Sequence, residues 1–270
     1  MKIPSISEKF KELRKRKEGA YMPYVCCGDP DVKFTVELVE TLCKNGADIV
    51  ELGIPFSDPI ADGPTIQEAG TRALSSGMTP IKALETVSEL RKRGISIPIV
   101  LMTYYNLILH AGVDSFLEKA KKAGVQGIVV PDVPFEESET LRSAGKKYGI
   151  DAIQFVAPTT SEERMEKILK NAQGFIYAVS VTGITGARKE VGKESLELIG
   201  KVKKHSKIPV ALGFGISEPL HAMEAINAGA DGVIEGSNLV KIYSSFLPDR
   251  KKALAETGRH TSEMKKALLK

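Results

Sequence analysis

Tryptophan is absent from the chain, cysteine occurs three times and histidine four, and no stretch approaches the ~18 consecutive apolar residues of a membrane-spanning helix. Cys26, Cys27 and Cys43 include two neighbours and cannot frame a disulfide-stapled fold. They form no CxxC pair, and His110, His205, His221 and His260 are scattered, so no zinc site or metal-dependent aldolase site is indicated. Charge of one sign is also scarce. The 38 basic and 34 acidic side chains leave a net +4, spread along the chain, which is no electrostatic footprint for nucleic acid. The densest basic run, from Lys9 to Lys17, alternates with Phe10 and Leu13 and reads as the solvated face of a helix. The first residues, MKIPSISEKFKELRKRKEG, hold no apolar core of signal-peptide length. The expectation is a cytoplasmic protein with neither membrane nor nucleic acid as partner.

The 270 residues are 42% apolar and 27% charged, enough to bury a sizeable core. Short apolar runs predict eight strands at 20–25, 48–52, 97–102, 127–130, 152–156, 174–179, 209–213 and 232–235. Several are almost continuously apolar, as strands buried on both faces are. Amphipathic stretches lie between them, among others at 33–44, 80–93, 114–123, 161–171 and 218–228. Strands alternating with helices form parallel sheets, because parallel neighbours need crossovers. The segments NGADIVE (45–51), KAGVQGIVV (122–130) and NAGADGVIE (227–235) repeat one grammar: a helix ends, glycine takes the left-handed cap, and an apolar strand begins. No linker divides the chain. The expected fold is therefore an α/β class (β/α)8 TIM barrel, one domain over 1–270, with an extra N-terminal helix. A doubly wound open sheet is the alternative. Long loops at 53–64 and 180–192, after the second and sixth predicted strands, fall on the C-terminal face, where barrels build their active sites.

Glu51 ends an otherwise apolar strand. Turned inward, its carboxylate is desolvated and its pKa rises towards the range of a useful general acid. Asp62 follows in a loop able to fold over the barrel mouth, and two carboxylates in unlike surroundings can divide acid and base work. Equally, Glu51 could face a lysine in the helical layer, with Asp58 and Asp62 serving turns. Glycine-bearing loops follow the last three predicted strands, at TGITG (182–186), GFGIS (213–217) and Gly236-Ser237. Their amides, with a helix starting at Ser237, could close on a phosphate; glycine also serves ordinary turns. None of the predicted strands holds a lysine, which disfavours Schiff-base chemistry, and Gly213-Phe-Gly lacks the rest of a dinucleotide fingerprint.

The run from Glu51 to Gly63, with its Phe-Ser-Asp-Pro and Ala-Asp-Gly, resembles the signature of the tryptophan synthase α subunits. Further matches are Pro23-Tyr24, Gly28-Asp29-Pro30, LMTYYN (101–106), VPDVP (130–134), SVTGITG (180–186) and GFGIS (213–217), which together span most of the chain. The resemblance implies retro-aldol cleavage of indole-3-glycerol phosphate to indole and glyceraldehyde 3-phosphate. Glu51 would be the proton-transferring acid/base, and Asp62 would hold the indole N–H. Tyr24 and Met102 would line the indole pocket, Tyr177 would lie near the substrate and Glu51, and Gly186, Gly215, Gly236 and Ser237 would hold the phosphate, with Thr185 and Gly213 as further substrate-binding residues. Asp58, Asn106 and Asp132 would contact a β subunit or the closing loop. The implied assembly is an α2β2 complex that hands indole to the β subunit. No cofactor is implied in this chain, the pyridoxal phosphate belonging to the β subunit, and no metal.

The sequence departs from the family pattern in places. Leu107 stands where many members have proline, and Cys26 and Cys27 where small or hydroxylated residues are common. Glu235 immediately precedes Gly236, where an inward carboxylate would repel phosphate; strand alternation is expected to turn it outward. Another phosphate-binding barrel, a non-catalytic regulator of a β subunit, or a stand-alone lyase releasing free indole are the competing readings.

Overall fold

The computed structural model describes residues 3–179 and 191–269. Within them nine strands form one all-parallel sheet: β1 (Ala20–Cys26), β2 (Val50–Gly53), β3 (Ile99–Met102), β4 (Gly127–Val129), β5 (Asp151–Ala152), β6 (Gln154–Val156), β7 (Ile176–Val179), β8 (Val210–Gly213) and β9 (Gly232–Glu235). The order runs β5-β4-β3-β2-β1-β9-β8-β7-β6, with β1 hydrogen-bonded to β9. β5 and β6 are halves of the fifth predicted strand. The first half pairs with β4 and the second with β7, and Ile153 between them donates its N–H to Ile128 at 2.9 Å. The ring therefore has eight staves. It is the expected TIM barrel and not an open sheet. The strand residues are buried almost throughout, which is why their sequences carry no polar alternation.

The helices α1 (Ile6–Arg16), α2 (Val32–Lys44), α3 (Pro64–Ser75), α4 (Pro80–Lys92), α5 (Tyr105–Ala111), α6 (Val113–Ala123), α7 (Glu139–Tyr148), α8 (Glu162–Asn171), α9 (Lys193–His205), α10 (Pro219–Asn227), α11 (Ser237–Ser244) and α12 (Arg250–Lys266) surround the ring. Local chemistry sets their limits. Asp31, Thr79 and Ser161 accept the first free amides of α2, α4 and α8, and Pro64 and Pro80 open α3 and α4. In the three repeated segments Gly46, Gly124 and Gly229 all have φ near +100° (105°, 97° and 105°), the left-handed exit the pattern required. α1 is the expected additional helix. Its buried Ile6, Phe10 and Leu13 cover the N-terminal end of the barrel, and a methyl group at Gly127 would lie 2.7 Å from Ile6 Cδ1. α3 and α5 are insertions at the opposite end. The expected loop at 53–64 is observed between β2 and α3. Residues 180–190 of the other long loop lie outside the described residues.

Candidate active site

One large cavity opens at the C-terminal ends of the strands, lined among others by Tyr24, Glu51, Asp62, Met102, Tyr177, Gly215 and Gly236. In-register pairing sets Tyr24 beside Glu51, and the pleat turns both inward. Glu51 is only 3% exposed, and its Oε2 has no hydrogen-bond partner among the described residues. Burial, and secondarily the charge of Asp62, push the Glu51 carboxyl up to about 8. A buried carboxyl oxygen left without a donor is rare in proteins, and this one belongs to a residue that lines an open cavity.

Asp62 reaches the same cavity from the loop between β2 and α3. Burial lifts it to about 6, and a hydrogen bond from the Tyr104 hydroxyl restrains the rise. That phenol also accepts the Ala61 N–H at 3.0 Å, and the Phe56 ring packs 5.3 Å from the Tyr104 ring. On the far side of Asp62, the Gln67 amide donates to its carbonyl at 2.7 Å. The loop is thus pinned at both flanks of its acid. Tyr104 carries no assigned role in the sequence reading. The signal for it was the aromatic pair just past a strand end, in LMTYYN.

Two tyrosines narrow the ring. Tyr24 lies across Gly53 on the next strand, and Tyr177 across Gly213, so that any side chain at either glycine would overlap the phenol. Tyr177 also packs against Phe155, with ring centroids 4.9 Å apart. Gly213 is accordingly buried beneath Tyr177; its observed work is to give that ring room. Met102 faces the cavity from β3.

Opposite the acids, the turn after β8 has positive φ at both Phe214 (75°) and Gly215 (77°). Gly236 precedes α11, whose first residue is Ser237. Gly215, Gly236 and Ser237 all line the cavity, and amides at such a helix start favour an anion. Thr185 and Gly186 lie outside the described residues. The Glu235 side chain points away from the cavity into the helical layer, as strand alternation required. Asp132 borders the cavity, and its carboxylate accepts the Tyr105 N–H at 3.0 Å, capping α5. Asp58 and Asn106 stand apart, exposed on the outer surface; Asp58 accepts the Ser57 hydroxyl. Among the described residues, no group of three or more His, Cys, Asp or Glu could hold a metal ion, and no helix is long and apolar enough to cross a membrane.

A parallel eight-staved barrel with two unlike carboxyls at its C-terminal mouth defines an enzyme of the TIM-barrel class. Residues 10–269 match the family model described as tryptophan synthase alpha chain. The tryptophan synthase alpha chain of Methanocaldococcus jannaschii is 51% identical over 247 residues, covering 92% of this chain and 87% of that one. That of Methanosarcina barkeri is 48% identical over 258 residues, covering 95% and 96%. Among solved structures, a chain of Mycobacterium tuberculosis tryptophan synthase superimposes with a TM-score of 0.90 at 33% identity over 100% of both chains. A chain of the Pyrococcus furiosus tryptophan synthase α2β2 complex gives 0.86 at 42% identity, over 92% of this chain and 98% of that one. The chain belongs to the tryptophan synthase alpha chain family. It is a carbon–carbon lyase acting on indole-3-glycerol phosphate.

Proposed function

We propose that Glu51 and Asp62 carry out the retro-aldol cleavage as a pair with divided tasks. The observation that supports this is the unequal effect of one cavity on two carboxyls, one pushed to about 8 and the other to about 6. Near neutral pH Glu51 keeps its proton while Asp62 is ionised. The Glu51 acid protonates indole C3, and the positive charge that develops on the ring N–H is stabilised by the Asp62 carboxylate. Glu51, now a carboxylate, removes the proton from the carbinol hydroxyl beside the ring. The electrons of that O–H bond form the aldehyde, the carbon–carbon bond breaks, and its electrons restore the indole. Glu51 ends the cycle protonated, as it began.

Tyr24, Met102 and Tyr177 wall the indole, excluding water around the reacting acid. Thr185, Gly186, Gly215, Gly236 and Ser237 are the proposed contacts to the remainder of the substrate, with phosphate at Gly215, Gly236 and Ser237, while Gly213 serves by giving Tyr177 its place. The chain acts as one domain over 1–270, in the cytoplasm and without a cofactor of its own. Its partner is a tryptophan synthase β subunit, which holds the pyridoxal phosphate and receives indole within an α2β2 complex. Exposed Asp58 and Asn106 and the cavity-bordering Asp132 face that partner or the closing loop. The likeness to the Pyrococcus furiosus α2β2 chain supports this assembly.

The test is Glu51→Gln, which keeps shape but cannot shuttle a proton. Indole release from indole-3-glycerol phosphate should fall about a thousandfold, within the usual range for a lost acid/base. Binding of 3-(indol-3-yl)propyl phosphate, followed by calorimetry, should change by no more than a few fold. Turnover near the parent rate would overturn the assignment.

A further inference from the structure

Glu235, at the end of β9, is fully buried yet met from three sides. Tyr21 of β1 donates its hydroxyl at 2.5 Å, Asn238 of α11 its amide at 2.8 Å, and His260 of α12 lies with Nε2 at 2.8 Å. A carboxylate only accepts, so His260 carries its proton on Nε2 in this contact. Three donors stabilise a charge that stands one residue from Gly236. The second N–H of the Asn238 amide donates to the Ser217 carbonyl at 2.9 Å. Ser217 closes the turn that contains Phe214 and Gly215, and its own N–H meets His221 Nδ1 at 3.3 Å. One amide group therefore bridges two loops: the turn after β8 and the start of α11.

We propose that Asn238, held in place by Glu235, is a positioning residue that keeps these two loops in register and so sets the affinity for the phosphate of the substrate. The inference rests on the reading that phosphate lies at Gly215, Gly236 and Ser237. Among the described residues nothing fills the space beside Gly215, since a Cβ there would meet nothing within 4 Å, and the next residue, Ile216, is buried in the core. Its turn is held from one side only, by the buried Ile216 and by the Asn238 bond to the Ser217 carbonyl. Without the bridge, the amides of the turn and those of the helix start drift relative to one another. Ligand binding must then order them, and that lost preorganisation appears as weaker binding.

Asn238→Ala is the first variant, because alanine suits a helix and removes both bonds of the bridge. The probes are 3-(indol-3-yl)propyl phosphate and the corresponding free alcohol, alongside steady-state cleavage of indole-3-glycerol phosphate. The expected result is a rise of about tenfold in KM and in the Kd of the phosphate ester, the scale of one or two hydrogen bonds. Saturated turnover should stay within about twofold, and alcohol binding should be unchanged. Glu235→Gln, which keeps the side-chain shape and one acceptor, should shift the ester in the same direction by less. Equal weakening of ester and alcohol, or a fall in kcat at unchanged KM, would overturn the proposal. Gly236→Asp separates the two readings. If it abolishes the preference for ester over alcohol while Asn238→Ala leaves that preference intact, the phosphate site stands and the bridge does not. If Gly236→Asp leaves the preference intact, the phosphate site itself is wrong and the bridge falls with it.

Discussion

The unpartnered Oε2 of Glu51 and the phenol-bonded carboxylate of Asp62 respond oppositely to pH in what they contribute. Glu51 is needed with its proton, which it loses as pH rises past about 8. Asp62 is needed without one, and it gains one as pH falls below about 6. The ratio kcat/KM should therefore trace a bell with limbs near those values, since it reports groups of the free enzyme. Tyr104→Phe removes the hydrogen bond that holds Asp62 down. Its acid limb should move to higher pH, by about one unit for a typical hydrogen bond to a charged group, while the alkaline limb stays. A pH series on both proteins checks this, and an unmoved acid limb would refute the role given to Tyr104. Glu51 was legible in the sequence because an acid at the end of an apolar strand stands out, and Asp62 because it lies in the long loop that follows that strand on the C-terminal face. Tyr104 was not, because its partner lies in a loop from a different strand, and only folding brings them together.

At the scale of elements, every strand was legible, because burial on both faces leaves short runs that are apolar for the most part. The division of the fifth stave at Ile153 was not. It arises because the two halves of one strand pair with different neighbours, which sheet geometry decides and local sequence does not. α12 was equally faint, since its buried stripe is Ala253, Thr257, Gly258, His260, Thr261 and Met264, small or polar residues for the most part. The packing of Tyr177 over Gly213 also links separate elements, β7 and β8. Gly213→Ala should push the ring into the cavity and reduce kcat/KM by about tenfold or more, as misplacements near the chemistry do. The double variant Gly213→Ala/Tyr177→Ala should lose no more than Tyr177→Ala alone, because both substitutions act through one ring. Additive losses in that kinetic cycle would show that Gly213 acts on the ligand directly.

Across the whole molecule, the two ends of the barrel have different duties. α1 seals the N-terminal end with Ile6, Phe10 and Leu13, while both acids and the glycine turns sit at the other. Ile6→Ala should destabilise the fold by about 3 kcal/mol, the usual range for a fully buried aliphatic side chain. At a temperature where the variant remains folded, its kcat and KM should match the parent. Urea unfolding and steady-state kinetics together check this; altered kinetics in the folded variant would mean that the sealed end communicates with the mouth.

Tyr24 and Tyr177 each occupy the volume left by a missing side chain on the neighbouring strand. The gauge of the opening is consequently set by bare backbone and two phenols, with no slack in the strands themselves. Substitution at either glycine can only tighten the aperture. A catalyst for bulkier substituted indoles would have to be made by shaving the phenols, leaving the diameter of the ring untouched.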